Sequence, residues 1–206
     1  MRKGWILILF GVFGVAVSSK CQEQSVPQET LDDLAVRIRA ELNNFQDYVS
    51  FIGEGTAPEE HRRKAIENCI LLFAPKATIQ EKNKYSQKER NWEIDQYLWA
   101  IFSRGEKVPV IIEYEVIDQL NAGDLEEIMQ PDGSVIYRGT MVFRQKYCRL
   151  KPIEERVEMT EKDPNINCAY SDTTEKEVTV EIKRRTSIKG EFWITQFTSI
   201  KVLRVY

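Results

Sequence analysis

The chain is predicted to be α+β, with three N-terminal helices followed by a run of antiparallel strands. Three observations predict it. Apolar residues recur at helical spacing in three segments up to about Phe102. From Val108 onward the spacing changes to two. Helices and strands are thus segregated along the chain, the mark of an α+β domain rather than of alternating βα units.

Helix one is expected to start at Thr30, where Asp33 makes a weak capping box. Leu31, Leu34, Ile38, Leu42, Phe45, Val49 and Ile52 form its apolar face, and Gly53 and Gly55 stop it. Helix two opens with Thr56 as N-cap, Pro58 early and Glu59 completing a capping box. Its face is Ile66, Cys69, Ile70 and Phe73, and Pro75 ends it. Ala77 to Glu81 is a short β-prone stretch. Ser86 and Glu89 read as the capping box of helix three, with Ile94, Tyr97, Leu98, Ile101 and Phe102 as its face and Gly105 as its end. Trp92 and Trp99 add bulk, and an aromatic stripe at this spacing reads as core. Val108, Val110, Ile112, Tyr114 and Val116 then alternate with Glu113 and Glu115. Pro131-Asp132-Gly133 turns the chain into a long strand from Val135 to Leu150. Val178, Val180 and Ile182 alternate with Thr179 and Glu181, and a turn at Ser187 to Gly190 leads to a last strand from Phe192 to Tyr206.

Residues 1–19 read as a secretory signal. Arg2-Lys3 precede an apolar run from Gly4 to Val17, and Ala16 and Ser18 supply small residues for a peptidase. The run is about 14 residues, short of the roughly 20 a spanning helix needs. Three readings stay open: a cleaved signal, an uncleaved anchor, and lipidation at Cys21, which has Ser18 and Lys20 at the lipobox positions. Residues 20–29 form a polar linker and residues 30–206 one domain. Export to the periplasm or cell envelope is expected, with membrane attachment only through such an anchor or a lipid on Cys21.

The formal charge is −3, with both signs dispersed and no basic stripe, so a nucleic acid is not the expected partner. Lys183, Arg184, Arg185 and Lys189 cluster at a turn and read as a solvated hairpin end. His61, the single histidine, lies among Glu59, Glu60, Arg62 and Arg63 and reads as part of a wet helix face. One histidine and no C-x-x-C spacing speak against a metal site, and no cofactor is expected. Cys69 reads as a small core residue. Cys148 and Cys168 flank one polar loop and are candidates for a disulfide in an oxidising compartment.

The phrase Leu72-Phe73-Ala74-Pro75-Lys76-Ala77-Thr78-Ile79-Gln80-Glu81 resembles the exit of helix two in the nuclear transport factor 2-like (SnoaL-like) superfamily. The order of elements over residues 30–206 resembles that family too, and the last strands, with Trp193 and Phe197, look like its closing hairpin. The resemblance implies a bent antiparallel sheet wrapped around helix one, leaving a conical pocket. Phe45 and Val49 would then pack against Val110, Ile112, Val180 and Trp193. In the isomerase-like members a carboxylate base follows this phrase, where Glu81 stands, and a helix-one tyrosine, matched by Tyr48, donates to the oxyanion. No strand offers the acidic oxyanion partner, and Lys82-Asn83-Lys84 suggest a solvated Glu81. Helix two and the loop between Cys148 and Cys168 are longer than in the compact enzymes.

Such a fold does not decide function. The expected function is an exported, non-catalytic binding or interaction module for a small molecule or protein. Two alternatives are an envelope assembly component, similar to the periplasmic domains of type IV secretion core proteins, and an isomerase or dehydratase.

Overall fold

The computed structural model describes residues 28–157, 166–188 and 190–206. The signal-like segment, Cys21, residues 20–27 of the linker and Lys189 lie outside them. Three helices and a seven-stranded sheet make one α+β unit. Helix α1 spans Gln28–Gly53, so the last two residues assigned to the linker are helical. Helix α2 spans Glu59–Ile70 and α3 spans Ile94–Lys107. The strands are β1 Phe73–Asn83, β2 Ser86–Glu93, β3 Val110–Asp118, β4 Glu126–Met129, β5 Val135–Leu150, β6 Cys168–Ser187 and β7 Gly190–Val205.

The sheet order is β2-β1-β7-β6-β5-β3, with β4 added to the first half of β5. It is mixed rather than wholly antiparallel, because β1 runs parallel to β7. Phe73 already belongs to β1, so α2 ends before Pro75. Pro75 falls where the β1–β7 register shifts, between Phe73 and Thr78, and Lys76 beside it has φ of 63°. A proline is tolerated there because no ladder bond is asked of its nitrogen.

Ser86–Glu93 is strand β2, not the first turns of helix three. The side chain of Asn83 accepts a hydrogen bond from the Tyr85 amide at 3.0 Å, an Asx turn that folds the chain back. Pairing with β1, from Thr78↔Glu93 to Asn83↔Ser86, then outweighs the local helix signal. Thr56 likewise does not cap α2; Pro58 holds that position, and the Thr56 hydroxyl bonds Glu54.

One face of the sheet packs on the helices. Phe45, Val49, Val110, Ile112 and Val180 share a single core, with Trp193 packed against its margin. The side chain of Ser50 donates to the Ile112 carbonyl at 2.8 Å, and Thr195 donates to Glu41 at 2.7 Å, tying α1 to strands β3 and β7. Among the described residues no helix is long and apolar enough to cross a membrane.

Arg62 departs from the wet helix face expected of its neighbours: it is 2% exposed. Its guanidinium donates to the Ile52 carbonyl at 2.9 Å and the Phe102 carbonyl at 2.7 Å, and stacks over the Phe102 ring. It therefore clamps the C-terminal parts of α1 and α3 together. Gly105 makes the close approach possible, since a Cβ there would lie 2.6 Å from the Gly53 carbonyl oxygen. His61, next to it, is exposed. Lys183 and Arg184 are at the hairpin end, paired with Glu181 and Glu191.

Cys148 and Cys168 are joined, with Cα atoms 5.5 Å apart. The bond closes the β5–β6 connection, a constraint on the unfolded chain of about 3 kcal/mol for a loop of this length. Asn167 closes the same connection from inside: its side chain accepts from the Val157 amide at 2.9 Å and donates to the Val157 carbonyl at 2.8 Å. Cys69 is free and buried, and burial pushes its thiol up to about 12.

Candidate functional site: a cationic cavity

The site follows from the alternation of β6. Its inward positions run Ile182, Val180, Val178, Lys176, Thr174, Asp172, all buried. The first three belong to the core that the face of helix α1 shares. The last three continue the same face with polar side chains. Strand β5 does the same, passing from Met141 and Phe143 to Gln145 and Tyr147. The two strands pair Phe143↔Lys176, Gln145↔Thr174, Tyr147↔Asp172 and Arg149↔Tyr170. Strand β3 adds Val110 opposite Arg149. One end of the sheet thus carries a polar floor, and α3 and β1 wall it with Arg104, Lys107 and Glu81.

The cavity so formed is about 500 Å³ and opens to solvent. Five lysine and arginine side chains line it, Lys82, Arg104, Lys107, Arg149 and Lys176, against two carboxylates, Glu81 and Asp172. Both carboxylates are already engaged. Arg104 donates to both oxygens of Glu81, at 2.6 and 3.1 Å, and the Trp92 indole donates at 3.1 Å. Burial works to raise the Glu81 carboxyl, but the bonds and charge of Arg104, with the charge of Lys176, hold it below the usual carboxylate value. Asp172 accepts a hydrogen bond from the Tyr170 hydroxyl. Burial keeps the Asp172 carboxyl above its ordinary value.

Lys176 is different. It is 4% exposed, yet among the described residues its ammonium makes no ion pair within 4 Å and no hydrogen bond. It stands over the ring of Tyr97 at 5.9 Å, and Tyr97 is itself buried. Desolvation pushes its ammonium down to about 8, against the opposing fields of Glu81 and Asp172.

Tyrosines form the remaining wall. The rings of Tyr147 and Tyr170 meet edge to face at 6.1 Å, and Tyr85 lies against Tyr170 at 5.6 Å. The Lys84 ammonium sits over Tyr85 and Tyr170, at 5.2 and 5.6 Å. The Cys148–Cys168 bond neighbours Tyr147, Arg149 and Tyr170, so it staples the cavity wall.

Of the residues singled out from sequence, Glu81 lines the cavity, half-buried rather than fully solvated. Tyr48 is half-buried against the core on α1 and is not among the residues lining the cavity, so the two are not brought together there. Among the described residues no group of three or more His, Cys, Asp or Glu side chains is placed to hold a metal ion. Lys176, Arg104, Asp172 and Gln145 escaped the sequence reading. The available signal was that the Val178–Ile182 alternation continues backward, with the same period, through Lys176 to Asp172.

No family model matches the chain, and no curated protein does. Among solved structures it is similar to a protein of Catenulispora acidiphila determined at 2.5 Å. Identity is 12%, with 81% of this chain and 91% of the other covered, and the TM-score is 0.33, a likeness that carries no functional argument.

Proposed function

We propose that this chain is an exported, non-catalytic binding module whose ligand is a small organic anion with a flat, apolar part. The carrying observation is Lys176, a buried lysine with no ion pair within 4 Å among the described residues, on the wall of a cavity rich in cations. Desolvation of that ammonium outweighs the fields of Glu81 and Asp172, and a ligand anion would offset the remaining cost. Tyr147 and Tyr170 offer ring faces and edges for the flat part. The volume suits a molecule of one or two rings.

The same observations speak against an isomerase. A base must be free to take a proton, and Arg104 holds Glu81 anionic in a bidentate pair. The cone-shaped nuclear transport factor 2-like architecture remains our proposed family, supported by a long helix packed in the face of the sheet and a cavity at one end. Periplasmic or envelope residence is part of the proposal, supported by the signal-like first residues and by the disulfide.

The test is fluorescence titration with 8-anilinonaphthalene-1-sulfonate, set against N-phenyl-1-naphthylamine, which keeps the rings and lacks the charge. The sulfonate is expected to bind one site, and Lys176→Met to weaken it about tenfold or more, which is ~1.4 kcal/mol. The neutral amine should show no such dependence. Equal binding of both probes, or binding unchanged in Lys176→Met, contradicts the proposal.

A further inference from the structure

We infer that Lys176 captures carbonyl compounds, so that the ligand class narrows to small anionic aldehydes or ketones held as a reversible imine. The inference rests on the anion-binding reading above and deepens it. Three geometric facts carry it. The amine is buried to 4% exposure and lines a cavity large enough for a ring-sized ligand. Its two neighbouring carboxylates are occupied, Glu81 by Arg104 and Trp92, Asp172 by Tyr170. The ring of Tyr97, 5.9 Å from the nitrogen, carries no charge to hold it. Among the described residues no ion pair within 4 Å holds the Lys176 nitrogen; Glu81 and Asp172 act on it through their fields alone, which favour the ammonium.

Burial beside the cavity favours the neutral amine, and this desolvation outweighs the opposing fields of Glu81 and Asp172. With its ammonium near 8, about one molecule in ten carries a nucleophilic amine at pH 7. The nitrogen lone pair attacks the carbonyl carbon, and a proton passes from nitrogen to oxygen to give a carbinolamine. Loss of water forms the C=N bond. Addition of water reverses both steps and releases the ligand unchanged, so no oxidant or reductant is consumed. Arg104, Arg149 and Lys107 on the cavity wall are the cations available to the ligand's anionic group once the amine has become an imine.

The experiment uses 4-formylbenzoate with sodium cyanoborohydride, which reduces the imine to a stable secondary amine. The labelled peptides are identified by mass spectrometry. A single carboxybenzyl group on Lys176, formed at least tenfold faster than on exposed lysines and blocked by the naphthalene sulfonate, is the expected result. Lys176→Arg keeps the cation and should retain sulfonate binding while losing the adduct; Lys176→Met should lose both. Circular dichroism and melting of each variant check that it folds. Sulfonate binding by the wild type without preferential labelling of Lys176 overturns the capture and leaves the binding reading intact. Preferential labelling without sulfonate binding does the reverse.

Discussion

Lys176→Met is expected to stabilise the ligand-free protein at pH 7 by about 3 kcal/mol, the value that corresponds to an ammonium moved from 10.5 to about 8. Methionine fills nearly the same space and needs no counter-charge. Desolvation of Lys176 outweighs the fields of Glu81 and Asp172, so removing the ammonium removes a net cost. The pH dependence fixes the sign. Below pH 8 Lys176 is charged in the folded and the unfolded chain alike, and the full cost of burying it is present. Between about 8 and 10.5 the unfolded chain holds the extra proton, so wild-type stability rises with pH. Above 10.5 both states are neutral and the gap to the variant closes. Urea unfolding at pH 7 and at pH 10.5 reads this directly. A variant less stable than wild type at pH 7 would mean that the ammonium has a partner in the fold.

Arg62→Met is expected to have the opposite effect, a loss of about 3 kcal/mol, from losing two buried charged hydrogen bonds at roughly 1.5–3 kcal/mol each, one of which leaves the Ile52 carbonyl at the end of α1 without its donor. The contrast between the two buried cations lies in their partners. Arg62 donates to the Ile52 and Phe102 carbonyls and stacks on the Phe102 ring, so its charge meets the negative end of α1 and a carbonyl of α3. Arg62→Lys should recover less than half of the loss, because one ammonium cannot reproduce a planar fork spanning two carbonyls. The midpoint of chemical denaturation measures both variants. A loss below about 1 kcal/mol would show that water replaces the two Arg62 bonds and that the clamp is dispensable.

Much of the fold is readable from local pattern because burial is periodic. The stripe Leu34, Ile38, Leu42, Phe45, Val49, Ile52 is buried throughout, and β5 occupies Val135–Leu150 as the turn at Pro131 to Gly133 predicts. Where pairing competes with local signals, pairing prevails. Ser86 and Glu89 carry a capping box, yet β1 offers an open edge and the segment joins it. Glu126–Met129 is a strand for the same reason, its ladder with β5 compensating two glutamates that alone predict nothing. The parallel β1–β7 pair joins residues more than a hundred positions apart, and no short-range pattern reports it.

The site is less legible, for a physical reason. Its side chains converge from α3, β1, β3, β5 and β6, and each on its own strand looks like ordinary alternation. Glu81 could be picked out from its phrase, but its role could not, because Arg104 lies 23 residues away on another element. Lys176 in sequence sits between Glu175 and Glu177, which suggests a solvated charge run. Only the strand register sends those glutamates to the other face and turns the lysine inward.

The most direct test is an NMR titration of Lys176 through its side-chain carbon and nitrogen resonances, in the free protein and with the naphthalene sulfonate bound. Free Lys176 should titrate near 8, and the bound anion should move it upward, because an anion seated against the ammonium favours the charged form. A Lys176 that titrates at the ordinary 10.5 in both states would contradict the account, since the cavity would then hold neither a desolvated ammonium nor an anion at it.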